Sequence, residues 1–222
     1  HIKTADSGAT ANAHADELVI ENSANSGISI LSGTSNIGRV NFGDSGDDDI
    51  GIIYYNHSDN SLTIRNNATD HMIINSAGAV TKPLQPAFNV NNSAAQTNIA
   101  SGANITFDTE RDYGAGNDHF GSNTFTAPVT GKYQLNLQLR VTQVDSASNY
   151  VFPQIETSNR SYQAIFDPSQ SNGDLTYFYF SISVMADMDA NDTADVHFYY
   201  SGGAQQVDTD AGGTSFSGAL IC

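Results

Sequence analysis

Cysteine occurs once in the chain, at its last position, Cys222. A single thiol can form neither an intrachain disulfide nor a thiolate metal cluster, so a small disulfide-stapled domain is excluded. Basic residues are scarce: 8 Lys and Arg stand against 24 Asp and Glu, for a net charge of −16. A surface of that sign repels phosphate backbones and anionic lipid, so no nucleic-acid partner is expected. It favours solubility and could hold cations. Long hydrophobic runs are missing as well. The longest, Ile50 to Tyr55, falls far short of the ~20 residues of a membrane helix, so membrane insertion is not expected. No secretion signal is visible, and His1 is expected not to be the native start. Stretches combining Ala, Leu, Glu and Lys are few, which leaves little helix-forming vocabulary.

What is present points to strands. Gly, Ser, Thr, Asn and Asp are abundant, and the 11 Phe and 10 Tyr suit pleated sheets. The 222 residues allow one large domain or two small ones. A composition shift falls at Thr81-Lys82-Pro83-Leu84-Gln85-Pro86, where the prolines disfavour both helix and central strand. The expected organisation is therefore a repetitive β segment over 1–82, a Pro-containing connector over 83–86, and a second β domain over 87–222.

In the first segment the strand-like pieces are short. They are Glu17–Ile20, Gly27–Leu31, Arg39–Phe42, Ile50–Tyr55, Ser61–Arg65 and Met72–Ile74. Their spacing, roughly 8–12 residues, is that of a strand-turn array. A segment with so few large side chains makes a marginal monomer. Sharing a core with other copies, by stacking or intertwining, is the expected remedy.

After the connector the strands lengthen. Over Gly131–Thr142, Tyr133, Leu135, Leu137, Leu139 and Val141 alternate with polar residues, a strict period of two. Thr176–Val184 places Phe178, Phe180, Ile182 and Val184 on one face, with Tyr177 and Tyr179 opposite. Ala194–Tyr200 sets Val196, Phe198 and Tyr200 against Asp195, His197 and Tyr199. Further strands are expected at Ala87–Val90, Ile105–Phe107, Asn123–Thr126, Val151–Glu156, Tyr162–Phe166 and Ser215–Ile221. Together they predict an antiparallel sandwich, a jelly roll.

The run Phe125-Thr126-Ala127-Pro128-Val129-Thr130-Gly131-Lys132-Tyr133-Gln134-Leu135-Asn136-Leu137 resembles the signature of the C1q/TNF-like family. Phe107-Asp108 and Asp118-His119-Phe120 resemble the positions that precede it. Ala87-Phe88-Asn89-Val90 is similar to that family's first strand, and Phe216-Ser217-Gly218-Ala219-Leu220 to its last. The resemblance covers Pro86 to Cys222, with a tighter spacing from Phe120 to Phe125 and with Leu135 and Leu137 in place of aromatics. Gly131 is expected to supply a positive φ at the opening turn, and Pro128 to stiffen it. Upstream, Gly38–Asp44, Gly51–Ile64 and Met72–Val80 resemble phage tail-fibre shaft sequence. The two resemblances imply an all-β chain in which a C1q/TNF-like jelly-roll head follows a short-stranded, intertwined trimeric shaft.

No catalytic, cofactor or metal site is expected. Gly43-Asp44-Ser45-Gly46 imitates a serine-protease nucleophile motif, but the Asp47-Asp48-Asp49 that follows departs from it. The nearest His, His57, lies in a turn-like stretch and supplies no oriented base. Asp44, Asp47, Asp48 and Asp49 could hold Ca²⁺, although clustered loop acids are usually just solvated. Asp187–Asp192 opens like an EF-hand loop but lacks its Gly and closing Glu, and a turn is expected there. The six His residues show no helical ligand spacing. Asn67-Ala68-Thr69 and Asn104-Ile105-Thr106 match glycosylation sequons, as chance allows in such a composition.

These readings lead to a non-enzymatic structural and host-attachment part of a viral tail fibre, extracellular on the virion. Its expected partners are two further copies, neighbouring tail or fibre subunits, and a host-surface glycan or protein. The alternatives are a bacterial surface adhesin or appendage subunit with the same head, and a polysaccharide depolymerase, for which the shaft is short. Tyr177 and Tyr179 are expected near the threefold contact. Binding is expected through the polar loops Asp145–Asn149, Asp167–Gly173 and Gln205–Thr214.

Overall fold

The computed structural model describes residues 2–111, 119–204 and 207–222. Among the described residues strands dominate, and the one helical element is a 3₁₀ turn over Pro168–Gln170. The chain divides into two compact units, His1–Pro83 and Leu84–Cys222.

In the first unit β1 (Ile2–Lys3) pairs in parallel with β2 (Ile20–Glu21). The strands β3 (Ile37–Phe42), β4 (Gly51–Asn56), β5 (Ser61–Asn66), β6 (Thr69–Ile74) and β7 (Val80–Thr81) follow as an antiparallel meander in chain order. Asn67 and Ala68 link β5 to β6 with φ of 48° and 56°. Positive φ at both central residues is what a tight hairpin turn demands, because it matches the twist of the flanking strands. One face of the meander buries Ile52 and Thr63. The expected strand at Gly27–Leu31 does not form, and Ile28, Ile30 and Leu31 are exposed. Its apolar pattern is real, but no neighbouring strand offers its backbone a ladder of hydrogen bonds.

In the second unit one sheet comprises β8 (Ala87–Asn91), β10 (Thr109–Glu110), β13 (Gly131–Val144), β16 (Leu175–Met188), β18 (Asp208–Thr209) and β19 (Ser215–Leu220). Its order is β10-β8-β19-β13-β16, with β18 also paired to β13. The other sheet comprises β9 (Ala103–Asn104), β11 (Phe120–Gly121), β12 (Thr124–Thr126), β14 (Ser148–Thr157), β15 (Ser161–Gln163) and β17 (Thr193–Gly202). Its order is β11-β12-β17-β14-β15, with β9 also paired to β17. Neighbours in both sheets are antiparallel and mostly distant in sequence, the wiring of a jelly roll.

The alternation seen in the sequence becomes the core. Tyr133, Leu135, Leu137, Leu139 and Val141 of β13 are fully buried, facing Val151, Ile155, Val196 and Phe198 from the other sheet. Phe88 stacks on Phe125 at 4.6 Å between centroids and meets Phe216 edge-on at 4.9 Å. The Tyr133 hydroxyl donates to the Val129 carbonyl at 2.8 Å, tying the opening turn to the core.

Some expectations need correction. Gly131 has no positive φ. It is glycine because a Cβ there would lie 2.7 Å from the Cys222 carbonyl oxygen and 2.6 Å from Leu220 Cδ1. Ile105–Phe107 is irregular rather than a strand, yet both apolar side chains are buried. Its backbone is satisfied singly, Ile105 N–H donating to Val196 O and Phe107 N–H to Asn123 Oδ1, each at 2.8 Å. The strand starting near Thr176 runs on to Met188, so the turn before β17 shortens to 189–192. Within the signature, Asp118 lies outside the described residues.

Gly218 of β19 is the tightest place in this core. A Cβ there would fall 2.5 Å from Phe88 Cε1 and 2.8 Å from Leu135 Cδ2. Gly218→Ala is therefore expected to destabilise the fold by about 1–3 kcal/mol through overpacking. The lowered midpoint of urea denaturation, followed by near-UV circular dichroism, is the measurement.

Candidate functional site

The three loops singled out in the sequence differ in what they do. The first, Asp145–Asn149, meets Asp174, the residue just past the second, at one end of the sandwich, together with the chain just after β17. Asp145 closes its own turn by accepting from Ala147 N–H at 2.7 Å, and its other oxygen accepts from Ala204 N–H. Asp174 accepts from the Ser146 amide at 2.9 Å and from its hydroxyl at 2.8 Å. Gly203 permits the approach: with φ of 66°, it has Asp145 Oδ2 and Ser148 Oγ each 2.7 Å from where a Cβ would sit. The result is an open cleft of about 320 Å³ lined by Gln143, Asp145, Asp174, Leu175, Thr176 and Ala204. Its functional groups are carboxylates, an amide and a hydroxyl, suited to hydrogen-bonding a polyhydroxylated ligand.

The remaining loop residues are structural. Asp167 caps the 3₁₀ turn, accepting from the Ser169 amide at 2.9 Å and hydroxyl at 2.6 Å. The expected binding loop Gln205–Thr214 is largely internal: Val207, Asp208, Thr209 and Thr214 are buried, and Gln205 lies outside the described residues. Asp208 accepts from Asn98 N–H at 2.7 Å, and Thr209 N–H donates to Gln96 O at 2.9 Å. Composition alone could not reveal this, because the same short polar residues serve solvent and buried turns alike.

Tyr177 and Tyr179 project outward from β16, 62% and 52% exposed. Arg140, across the ladder from Tyr179, lies 5.7 Å from the Tyr177 ring centroid and pairs with Asp210 at 2.6 Å. A second exposed surface lies on the meander of the first unit. Val40, Phe42, Ile53, Tyr55, Leu62 and Ile64 occupy one face and are 38 to 56% exposed. Ile28 and Ile30 line the same apolar groove, of about 400 Å³.

The protease-like motif is a turn. Asp44 Oδ1 accepts from Gly46 and Asp47 N–H at 2.7 and 3.1 Å, and Gly43 packs against the Asp48 backbone. His57 packs edge-on against Tyr55 at 5.0 Å, with no hydrogen bond to Ser45 among the described residues. Asp47, Asp48 and Asp49 converge, with Asp49 3.7 Å from Arg39. In the EF-like stretch, Asp192 accepts from Asp189 N–H and Asn159 Nδ2, each at 2.8 Å, while Asp187 pairs with Lys132 at 2.5 Å. A constellation that the sequence reading missed joins Glu156, Asp195 and His197 on the outer face of β14 and β17. Burial, and after it the charges of Glu156 and Asp195, push the adjoining Tyr199 phenol up.

No protein-family model matches the sequence, and no curated protein matches it. Among solved structures, the globular domain of zebrafish complement 1qA is similar at 16% identity with a TM-score of 0.46, over 62% of this chain and 98% of that one. The Eiger TNF of S. frugiperda is similar at 10% identity with a TM-score of 0.49, over 62% and 93%. These are likenesses of fold. The description of the sandwich as a jelly roll rests on its own strand order and register. Among the described residues, no helix is long and apolar enough to cross a membrane.

The cleft carboxylates give a pH test. The Ser146 amide, and then its hydroxyl, hold Asp174 below the usual carboxylate range. A depressed folded pKa adds stability above the unfolded value of about 3.9 and loses it as pH falls through the folded value. Asp174→Asn should therefore melt below wild type at neutral pH. The two melting temperatures should converge as pH falls below the unfolded value and on through the lowered folded one.

Proposed function

We propose that this chain is a non-enzymatic, host-attaching distal part of a viral tail fibre. In this reading residues 1–82 form a shaft that assembles as a trimer, and residues 87–222 form a head that presents the cleft beside Asp145 and Asp174. The observation that carries attachment is the convergence of those turns into one polar cleft at the end of a rigid sandwich. Loops held by a scaffold are where binding groups are commonly found. Carboxylate and amide groups there suit sugar hydroxyls on a host surface. Among the described residues the cleft lining holds no aromatic anchor, so affinity per site is low. Three linked heads would offset this, since multivalency raises apparent affinity by about 10²–10⁴.

Assembly is supported by the meander. Apolar side chains exposed on one face of a sheet this small need a cover. Further copies of the same face would supply it, while Tyr177 and Tyr179 would serve the equivalent contact on the head. Three chains of −16 carry −48, which keeps such assemblies from clustering further.

Sedimentation equilibrium at micromolar concentration is expected to give about 71 kDa, three copies of the 23.6 kDa chain. Ile53→Asp combined with Ile64→Asp changes side chains already exposed in one chain. It should yield folded protein of lower mass, and a wild-type monomer would refute the trimer. For attachment, fluorescently labelled protein should decorate host bacteria, and Asp145→Ala with Asp174→Ala should reduce binding at least about tenfold through avidity. Wild-type binding no stronger than that of an unrelated acidic protein on every host tried would leave a purely structural role.

A further inference from the structure

His197, Asp195 and Glu156 stand on adjacent strands of the sheet that holds β14 and β17. Asp195 and His197 are two residues apart on β17 and share a face. Glu156 on β14 is the direct cross-strand partner of Asp195. Strand pairing, rather than a loop, therefore fixes the three side chains against one another. They border an open, polar depression of about 450 Å³ with Thr157, Ser158 and Tyr199.

The orientation of the imidazole is set from behind. His197 Nδ1 lies 3.0 Å from the Gly102 carbonyl oxygen. A carbonyl only accepts, so this contact is satisfied in the tautomer that carries its hydrogen on Nδ1. The chain around Gly102 is itself held by hydrogen bonds. Its N–H donates to Phe198 O at 2.7 Å, the Ser101 hydroxyl donates to Tyr200 O at 2.9 Å, and the Tyr200 hydroxyl donates to Ile99 O at 3.0 Å. The other nitrogen, Nε2, then points at anions: Asp195 Oδ1 at 3.1 Å and Glu156 Oε2 at 3.8 Å. With Nδ1 holding the hydrogen of the neutral ring, the Nε2 lone pair faces two carboxylates. In that tautomer a metal ion bound at Nε2 would offset the facing carboxylates.

We infer that Glu156, Asp195 and His197 form a binding site for a divalent cation of the Zn²⁺ class. The donor set selects the metal. An imidazole nitrogen with two carboxylates suits Zn²⁺ and its first-row neighbours, whereas Ca²⁺ and Mg²⁺ want oxygens throughout. The spacing fits as well. Tetrahedral ligands about 2.0–2.1 Å from Zn²⁺ lie about 3.3 Å from one another, and the two donor separations at Nε2 bracket that value. A backbone carbonyl fixing the far nitrogen of the ligating His is the usual outer support of such sites. Gln154 Nε2, 3.1 Å from Glu156 Oε2, and Asn104 Nδ2, 3.4 Å from Asp195 Oδ2, hold the carboxylates. Among the described residues the lining includes no Lys or Arg to neutralise them. Three protein ligands leave the fourth position open toward the depression, for water or an oxygen donor of a bound molecule.

The full chain, stripped with chelator and dialysed at pH 7.5, is titrated with Zn²⁺ by calorimetry, with melting temperature as a second readout. One high-affinity Zn²⁺ per chain is expected. A ligand that binds only the folded state should also raise the melting temperature as its concentration rises. Glu156→Gln, Asp195→Asn and His197→Gln should each weaken binding by more than about 10-fold, while His57→Gln leaves it unchanged. Co²⁺ should give the visible absorption bands of a four-coordinate site in wild type and lose them in the variants. Circular dichroism without metal confirms that each variant is folded, and Asp195→Asn, nearly isosteric, keeps the test valid should His197→Gln fail to fold. Wild-type affinity equal to that of Asp195→Asn and Glu156→Gln would overturn the site.

Discussion

Leu135, Leu137, Leu139 and Val141 project from β13 into the sandwich, while β16 bonds along one edge of that strand and β19 and β18 along the other. The same residues thus supply core volume and hold both neighbours in register. Burying one such side chain contributes about 1.5–3 kcal/mol. An exposed ion pair such as Lys132 with Asp187 contributes far less, because water screens it. The register is accordingly set by apolar alternation, since a slip of one residue would turn this whole apolar row outward. Everything at the ends of the sheet follows from it. Val144 ends the strand beside Asp145, and Leu175 begins its partner beside Asp174, so the cleft carboxylates are adjacent because the ladder keeps one register to its end, across Gln143, where φ is 58° and the pairing is interrupted.

The two units meet the demand for burial differently. The second closes two sheets over a continuous apolar cluster that runs from Phe88 to Phe216. The first has a single meander, with Ile52 and Thr63 shielded and the row from Val40 to Ile64 open. A lone sheet has two faces and can turn only one of them inward within its own chain. The acidic surface adds a further constraint: contact between copies must come from apolar rows and neutral polar faces, because acid against acid repels. The outward face of β13 and β16 has this neutral character over Gln134, Asn136 and Ser183, which hydrogen-bond to one another.

Much of the fold could be read in the chain, for a physical reason. A strand buried on one face writes a period of two into the sequence, and Gly131–Val144, Leu175–Met188 and Thr193–Gly202 do so over long runs. What could not be read depends on long-range neighbours. Gly131 was legible as a required glycine but not for its reason, since the carbonyl it accommodates belongs to Cys222, far along the chain. Ile28 and Ile30 carry a strand pattern without a pairing partner. Val207–Thr209 reads as a polar loop yet is drawn inside by Gln96 and Asn98. The cleft was legible only through the loop that starts at Asp145, because its meeting with Asp174 requires the register of β13 with β16.

The group around His197 illustrates the same limit from the other side. Helical spacing is the wrong template for ligands on a strand, where residues two apart share a face. Asp195 and His197 meet that condition in the sequence, but Glu156 joins them only through the pairing of β14 with β17. The pairing also separates this group from the acids at Asp47–Asp49. Those lie on a loop, and Asp47 and Asp49 are joined through a local turn in which Asp49 N–H donates to Asp47 Oδ1 at 3.1 Å. Glu156, Asp195 and His197 stand on strands held by neighbours on both sides, β17 between β12 and β14, and β14 between β17 and β15. Charged groups fixed by a sheet cannot relax away from one another as loop acids can. A cation bound at the place where they converge would offset their mutual repulsion.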